Sequence, residues 1–413
     1  MKNHYSYAIY FVFTVTVIII FIELLNALYF RFVLSEDMVG FRKGQMVYEL
    51  AERNKTSFLS SQIKGSESRI MSVLVDIAKT VFLILVSLLF LNRKFQKFGM
   101  RIASGNISIV KRDFRNLTRK EINFICLIAG LFILNKLILQ IVSKDKISKY
   151  FAIKISLMGI IGYLLVLPLA IFLAYVLLEY FGKKIIVACY LAYIIKILPD
   201  VLINDTVNPD KMEQVDVKSF PDDIQHLLYK YHLEDSVYKE KSPGSEKNAA
   251  LIGYGKGARM EIYGNFTETD QDQLFSVFLH EIGHAKENTL MRKTIIYIAL
   301  LIIELLFMLY IYDTISTKFT TEIISVFTAF VLLVFIYRAL LRQWLLMIYK
   351  IASQQSEINS DMFAKQHDYG RELAETLFNI VIDANDFLKP TAVYNFLRSG
   401  HPAIYARIDY LGE

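Results

Sequence analysis

His280 and His284 stand four residues apart in the stretch Phe278–Ala285, with Glu281 beside the first. On a helix, positions i and i+4 project from one face, one turn apart, so both imidazoles can bind a single metal ion. Glu281 is then placed to take a proton from water on that metal. This is the H-E-x-x-H pattern of zinc-dependent peptide hydrolysis. Taken alone, the same letters also fit a surface helix with two solvated histidines.

A catalytic zinc needs a third protein ligand. Cys126 and Cys189 both fall inside apolar runs, which argues against a disulfide framework and against thiolate ligation. The ligand must therefore be a histidine or a carboxylate. Glu357 and Asp361, in Ser356–Ala364, form a second i, i+4 pair. Glu357 is read as the third ligand, because a His–His–Glu set is a standard catalytic site with one position left for water. Asp361 can then accept a hydrogen bond from the free ring nitrogen of a zinc histidine and fix its tautomer. A solvated acidic face is the ordinary alternative for any such pair. Further on, Pro402 can open a helix carrying Arg407. His401 is available there as an oxyanion-stabilising donor, or is simply a loop histidine.

The elements that position these residues are largely apolar. Of 413 residues 54% are hydrophobic, and the mean hydropathy is +0.38, above ordinary soluble usage of about 45–50% apolar. Seven stretches are long enough to cross a bilayer: 7–30, 70–91, 122–142, 151–180, 185–203, 294–312 and 323–348. The first is too long for a removed signal peptide and is expected to stay as an anchor. Pro168 and Pro199 should kink their helices. The expected class is an all-α polytopic membrane protein with a small α+β zincin-type catalytic domain. Its segments are 1–203 (spans one to five), 204–292 (a catalytic insertion), 293–350 (spans six and seven) and 351–413 (the C-terminal catalytic part). Two spans separate His284 from Glu357, so both motifs return to one side of the membrane. An odd number would have parted them.

Glu23, Asp76, Lys79, Lys136, Lys154, Lys196, Asp200, Glu304 and Arg338 lie within the apolar stretches. Such groups are costly in lipid and are expected to face one another or a hydrated interior, although Lys154 and Asp200 sit near span ends and can snorkel. The net charge of +6 is spread over many loops without a long basic run. That suits anionic headgroups better than nucleic acid.

Within the insertion, 248–254 and 258–263 are two short runs joined by Gly255-Lys256-Gly257, the pattern of a β-hairpin. A helix carrying His280 follows, with N-cap chemistry in Thr267–Asp270. A strand edge beside a metal-binding helix can hold an extended peptide across the metal.

Several motifs together resemble the type I CAAX prenyl endopeptidases, seven-span zinc proteases that process isoprenylated proteins. They are Phe41–Tyr48 through Phe58, Ile197–Pro199 through Asn208–Asp210, Asn248-Ala249 with Gly253, the H-E-x-x-H motif, Glu357 with Asp361, and His401-Pro402 with Arg407. The chain departs from the family pattern at Ala285, Ile358 and Ser360.

The resemblance implies seven helices around a water-filled chamber with one Zn2+ at its inner end, held by His280, His284 and Glu357. Glu281 would be the general base. Asn248 and Ala249 would bind substrate as an added strand, and His401 and Arg407 would lie close to the reacting carbonyl. The implied reaction removes the C-terminal tripeptide of isoprenylated CAAX proteins, with a second upstream cleavage left open. The implied location is the endoplasmic reticulum membrane, and the inner nuclear membrane as well, with the zinc site toward the cytosol. Partners would be CAAX substrates and lipid, with no nucleic acid and a monomer as the simplest state. The loop 92–121 would then be lumenal, in line with sequons at Asn106 and Asn116, yet its nine Lys and Arg residues run against the positive-inside tendency. Two other classes fit parts of the pattern. One is a membrane-protein quality-control zinc protease, which would have fewer spans. The other is a non-catalytic scaffold or transporter with a vestigial H-E-x-x-H.

Overall fold

The computed structural model describes residues 2–34, 38, 40–43, 45–91, 93–105, 117–142, 166–202, 207–242, 248–253, 255–264, 271–318 and 324–413. They are predominantly helical, with one small sheet. The helices are α1 (Lys2–Phe32), α2 (Met46–Arg53), α3 (Lys55–Leu91), α4 (Arg93–Gly105), α5 (Arg119–Val142), α6 (Val166–Phe181), α7 (Lys184–Leu202) and α8 (Asp222–Lys230). They continue as α9 (Gln271–Lys286), α10 (Thr289–Lys318), α11 (Val326–Ile336), α12 (Arg342–Gln366), α13 (Gly370–Ala384), α14 (Ala392–Arg398) and α15 (Ile404–Gly412). A π-helical turn, Tyr337–Leu341, joins α11 to α12.

The chain forms two compact units. The first takes residues 1–21, 71–193 and 301–344. Tyr10–Phe32 and Thr289–Thr317 are long and apolar enough to cross a membrane. The pair α6 and α7, bent by 116°, brings the total to three if counted as one span. The bend falls at Gly182, whose φ of +54° is a left-handed conformation that a side chain would resist. The remaining expected spans are helical where described, since α3 covers 70–91 and α5 covers 122–142. Residues 151–165 of the fourth, Lys154 within it, the sequons at 106 and 116, and the capping stretch 267–270 lie outside the described residues. Seven spans are thus not reached by length and composition among the described residues.

The ionisable residues of the first unit pair locally. Arg342 Nε lies 3.2 Å from Glu304 Oε2, and Lys79 Nζ lies 3.7 Å from Asp76 Oδ1. Arg338 is exposed, as is Lys196 of the second unit, which includes residues 194–300.

The second unit takes residues 22–70, 194–300 and 345–413. Its sheet has the order β1-β2-β4-β3, from β1 (Met212–Gln214), β2 (Val237–Glu240), β3 (Asn248–Ile252) and β4 (Arg259–Tyr263). β3 and β4 form the expected antiparallel hairpin across a 3₁₀ turn at Gly255–Gly257, with Asn248 opposite Tyr263. β2 joins β4 in parallel, so β3 is the edge strand of the sheet among the described residues. β1 and β2 are short and carry no clear alternation, so their pairing was not legible in the sequence.

Segment 22–70, which the sequence reading leaves with the membrane part, also packs in this unit. Val47, Leu50 and Ala51 give α2 one buried face, and Phe58 stacks on Phe378 with centroids 5.6 Å apart. An aromatic chain runs on through Phe41 and Phe30 to Phe387.

Candidate metal centre

α9 carries His280, Glu281 and His284, and α12 carries Glu357 and Asp361. Both pairs project by the one-turn repeat of a helix. What brings the helices together is Gly283. A Cβ there would sit 2.8 Å from Ser360 Cα, so α12 can approach α9 only because position 283 has no side chain. Asn359 Nδ2 donates to Glu287 Oε1 at 2.6 Å, and Lys286 lies over the Phe363 ring, fastening the same two helices one turn further on.

Glu357 reaches both histidines. Its Oε2 lies 3.5 Å from His280 Nε2 and its Oε1 lies 3.5 Å from His284 Nε2. Two ligands of a tetrahedral zinc, each about 2.0–2.2 Å from the ion, stand about 3.4 Å apart. The donor set therefore fits that ion. Glu281 is also near, its ligand atoms and those of the two histidines falling within 4.8 Å of one another. Its Oε2, however, accepts from the Leu251 N–H of β3 at 2.8 Å. Glu357 is the carboxylate that faces both ring nitrogens, so it is the better third ligand. Glu281 is left beside the open position and against the strand edge.

The outer ring nitrogens are also engaged. Asp361 Oδ1 lies 2.8 Å from His280 Nδ1, a close ionic contact whose angle falls short of an aligned hydrogen bond. His284 Nδ1 meets Ser360 Oγ at 2.8 Å and Thr289 Oγ1 at 3.3 Å. Arg407 donates to both oxygens of Asp361, at 2.7 and 2.6 Å, and its Nη1 lies 3.7 Å from Glu357. His401, mostly exposed, brings Nδ1 to 3.2 Å from Glu357 Oε2. Ala249 is buried on β3 and lines the same cleft, while Asn248 opens that strand.

The electrostatics follow from packing charges into a buried site. Burial opposes a charge on His280, but the close Asp361 and Glu357 carboxylates win and push it up to about 9. Burial and then the His280 charge drive His284 down to about 3. Glu357 is held below the usual carboxylate range because its histidine partners outweigh its burial, and Asp361 likewise because of Arg407. Burial raises Glu281, against the opposing charge of His280 and the Leu251 N–H. Without a metal, one proton on His280 thus stands between carboxylates and imidazoles where a cation's charge is needed.

The structure gathers His280, Glu281, His284, Glu357, Asp361, His401 and Arg407 around one point, with β3 alongside. Three neighbours escaped the sequence reading. Ser360 and Thr289 touch His284, and Lys293 Nζ lies 3.7 Å from Glu357 Oε1. Ser360 sits one turn from Glu357 and could have been found by helical spacing. Thr289 and Lys293 belong to α10, and no spacing announces them.

Residues 227–413, which include every residue of this centre, match peptidase family M48. Together with the apolar helices, that match supports a membrane metallopeptidase. Among solved structures, the crystal structure of S. mikatae Ste24p shares its fold, with a TM-score of 0.53 and 16% sequence identity over 97% of this chain and 98% of that chain. The match to family M48 and the shared fold both agree with the resemblance to the type I CAAX prenyl endopeptidases. No curated protein matches the chain in the sequence comparison.

Proposed function

We propose that the chain is a seven-span zinc metalloendopeptidase that removes the C-terminal tripeptide from isoprenylated CAAX proteins. The observation that carries the zinc chemistry is the placement of the Glu357 carboxylate 3.5 Å from both Nε2 atoms. His280, His284 and Glu357 would hold the ion. When bound, zinc supplies Lewis acidity, which acidifies water and polarises a carbonyl.

Glu281, raised by burial, is suited to take the proton of the attacking water and hand a proton to the leaving amine. Its tie to Leu251 aligns this base with the strand against which an extended peptide would lie. The exposed His401 is free to turn from Glu357 toward a developing oxyanion. Arg407 has two donors committed to Asp361, which supports a role in holding Asp361 and Glu357 in place. The resemblance favours the endoplasmic reticulum membrane, with the centre toward the cytosol.

The test uses purified protein with a farnesylated CAAX peptide and products read by mass spectrometry. The expected result is a cut just after the modified cysteine, lost with a chelator and in Glu281→Gln. No cut on that peptide, with zinc bound and unfolded membrane proteins degraded instead, replaces this substrate with the quality-control one.

A further inference from the structure

The cleft that holds the reaction centre has a volume of about 530 Å³. Besides His280 and Glu281 it is lined by Leu377 and Ile380 of α13, by Phe387 and by Arg69. That volume suits a short peptide or small ligand.

Arg69 lies on α3 within the second unit, and its side chain is 25% exposed. Its guanidinium stands 5.6 Å from the ring centroids of both Phe387 and Tyr394, so aromatic faces hold it in position. Its charged neighbour is Glu23, whose Oε1 is 3.7 Å away, beyond hydrogen-bonding reach. The other Glu23 oxygen accepts from the Thr391 N–H and hydroxyl. Arg69 makes no hydrogen bond among the described residues, although a guanidinium offers five donors in a planar fork. The other arginine of the cleft, Arg407, already grips Asp361 with two donors. Besides Glu281 and Glu357 of the centre, Asp386 also lines the cleft.

A partly buried arginine that lines the peptide cleft, with no hydrogen bond from its guanidinium to the described residues, matches one feature that every unmodified peptide carries at its end. We propose that Arg69 receives the α-carboxylate of the substrate's C-terminus through the bidentate geometry that guanidinium and carboxylate share. The cut site is then measured from the end of the chain, and the cleft selects free C-terminal ends over internal segments. The inference rests on the proteolytic reading of the same site and adds how its substrate is registered.

Binding tests it separately from cleavage. A fluorescent farnesylated CAAX peptide, as free acid and as C-terminal amide, is titrated into Glu281→Gln protein with and without Arg69→Gln. The acid should bind about tenfold to a hundredfold more tightly than the amide, the range for a charge-assisted hydrogen bond. Arg69→Gln should erase that preference by weakening only the acid, and Arg69→Lys should restore part of it. Equal binding of acid and amide before substitution overturns the anchor and leaves the proteolytic reading standing. Equal weakening of both peptides by Arg69→Gln also overturns it, since Arg69 would then only support Phe387 and Tyr394. If neither peptide binds, the anchor is overturned for this substrate class, and the cleavage assay on the unaltered protein decides the proteolytic reading by itself.

Discussion

Buried charge occurs in both units, and it is handled differently. In the first unit, Glu304 is almost fully buried and faces Arg342 at 3.2 Å, with Tyr190 hydrogen-bonded to the same carboxylate. The buried anion is met directly by a cation. In the second unit, Glu281, Glu357 and Asp361 gather with two histidines, while Arg407 and Lys293 supply the cationic side chains. The two Nε2 atoms point at one carboxylate with room for an ion between them. The difference teaches how to tell a structural charge from a functional one. A buried pair that neutralises itself costs desolvation and repays it locally, whereas a cluster that stays short of positive charge is built to receive a cation.

The sharpest break between the regions is catalytic. Glu281→Gln should lower kcat by about 10²–10⁴-fold or more while zinc content stays near one per chain. Near-normal turnover, measured by peptide cleavage with metal analysis alongside, would end the proposed mechanism.

The next comparison is made by removing one carboxylate in each unit. Asp361→Asn should weaken zinc by about 10–100-fold in a competition titration, because His280 loses its partner. It also strands Arg407, so thermal stability should fall. Glu304→Gln should cost about 3–5 kcal/mol of stability by taking the carboxylate away from the Arg342 guanidinium, yet zinc affinity should stay unchanged. If Glu304→Gln moved zinc affinity as far as Asp361→Asn does, the contrast between the units would collapse.

Ser360→Ala sharpens the picture at smaller scale. His284 keeps Thr289 at 3.3 Å but loses its 2.8 Å partner, so zinc affinity should drop by about tenfold or less. An unchanged affinity would mean that Thr289 suffices.

The smallest effect is on pH. The His280 value in the metal-free protein is raised to about 9 from 6.5, so its stabilising charge is fully present below pH 6.5 and lost as pH rises through 9. Melting of metal-free protein should therefore weaken across that window. Zinc competes with the same proton, so its apparent affinity should rise over the same range and then level off. A flat profile from pH 6 to 9.5 would show that His280 carries no proton when metal is absent.

Local repeats made much of the site legible. The spacing of His280 with His284, and of Glu357 with Asp361, needs only a helix to put each pair on one face, and α9 and α12 supply it. The hairpin at 248–263 was readable because Gly255 and Gly257 flank its turn between two apolar runs. The spans were harder. Apolar length marks a candidate helix, but it does not reveal the 116° bend at Gly182 or the extension of α3 back to Lys55 as one 37-residue helix. β1 and β2 are held by pairing with residues far along the chain, which short segments cannot encode by themselves.

By itself, the sequence determined the chemistry available: imidazole and carboxylate ligands, a base beside them, and apolar runs long enough to cross a membrane. These follow from residue type and the fixed repeats of helix and strand. Only the tertiary structure decided which carboxylate faces both histidines and which one meets the strand. The reason is distance along the chain. Glu357 is brought against His280 and His284 by a helix contact that Gly283 alone permits, and Arg69 reaches the cleft by the packing of α3 beside Phe387 and Tyr394. Such contacts depend on shape, which no spacing rule records.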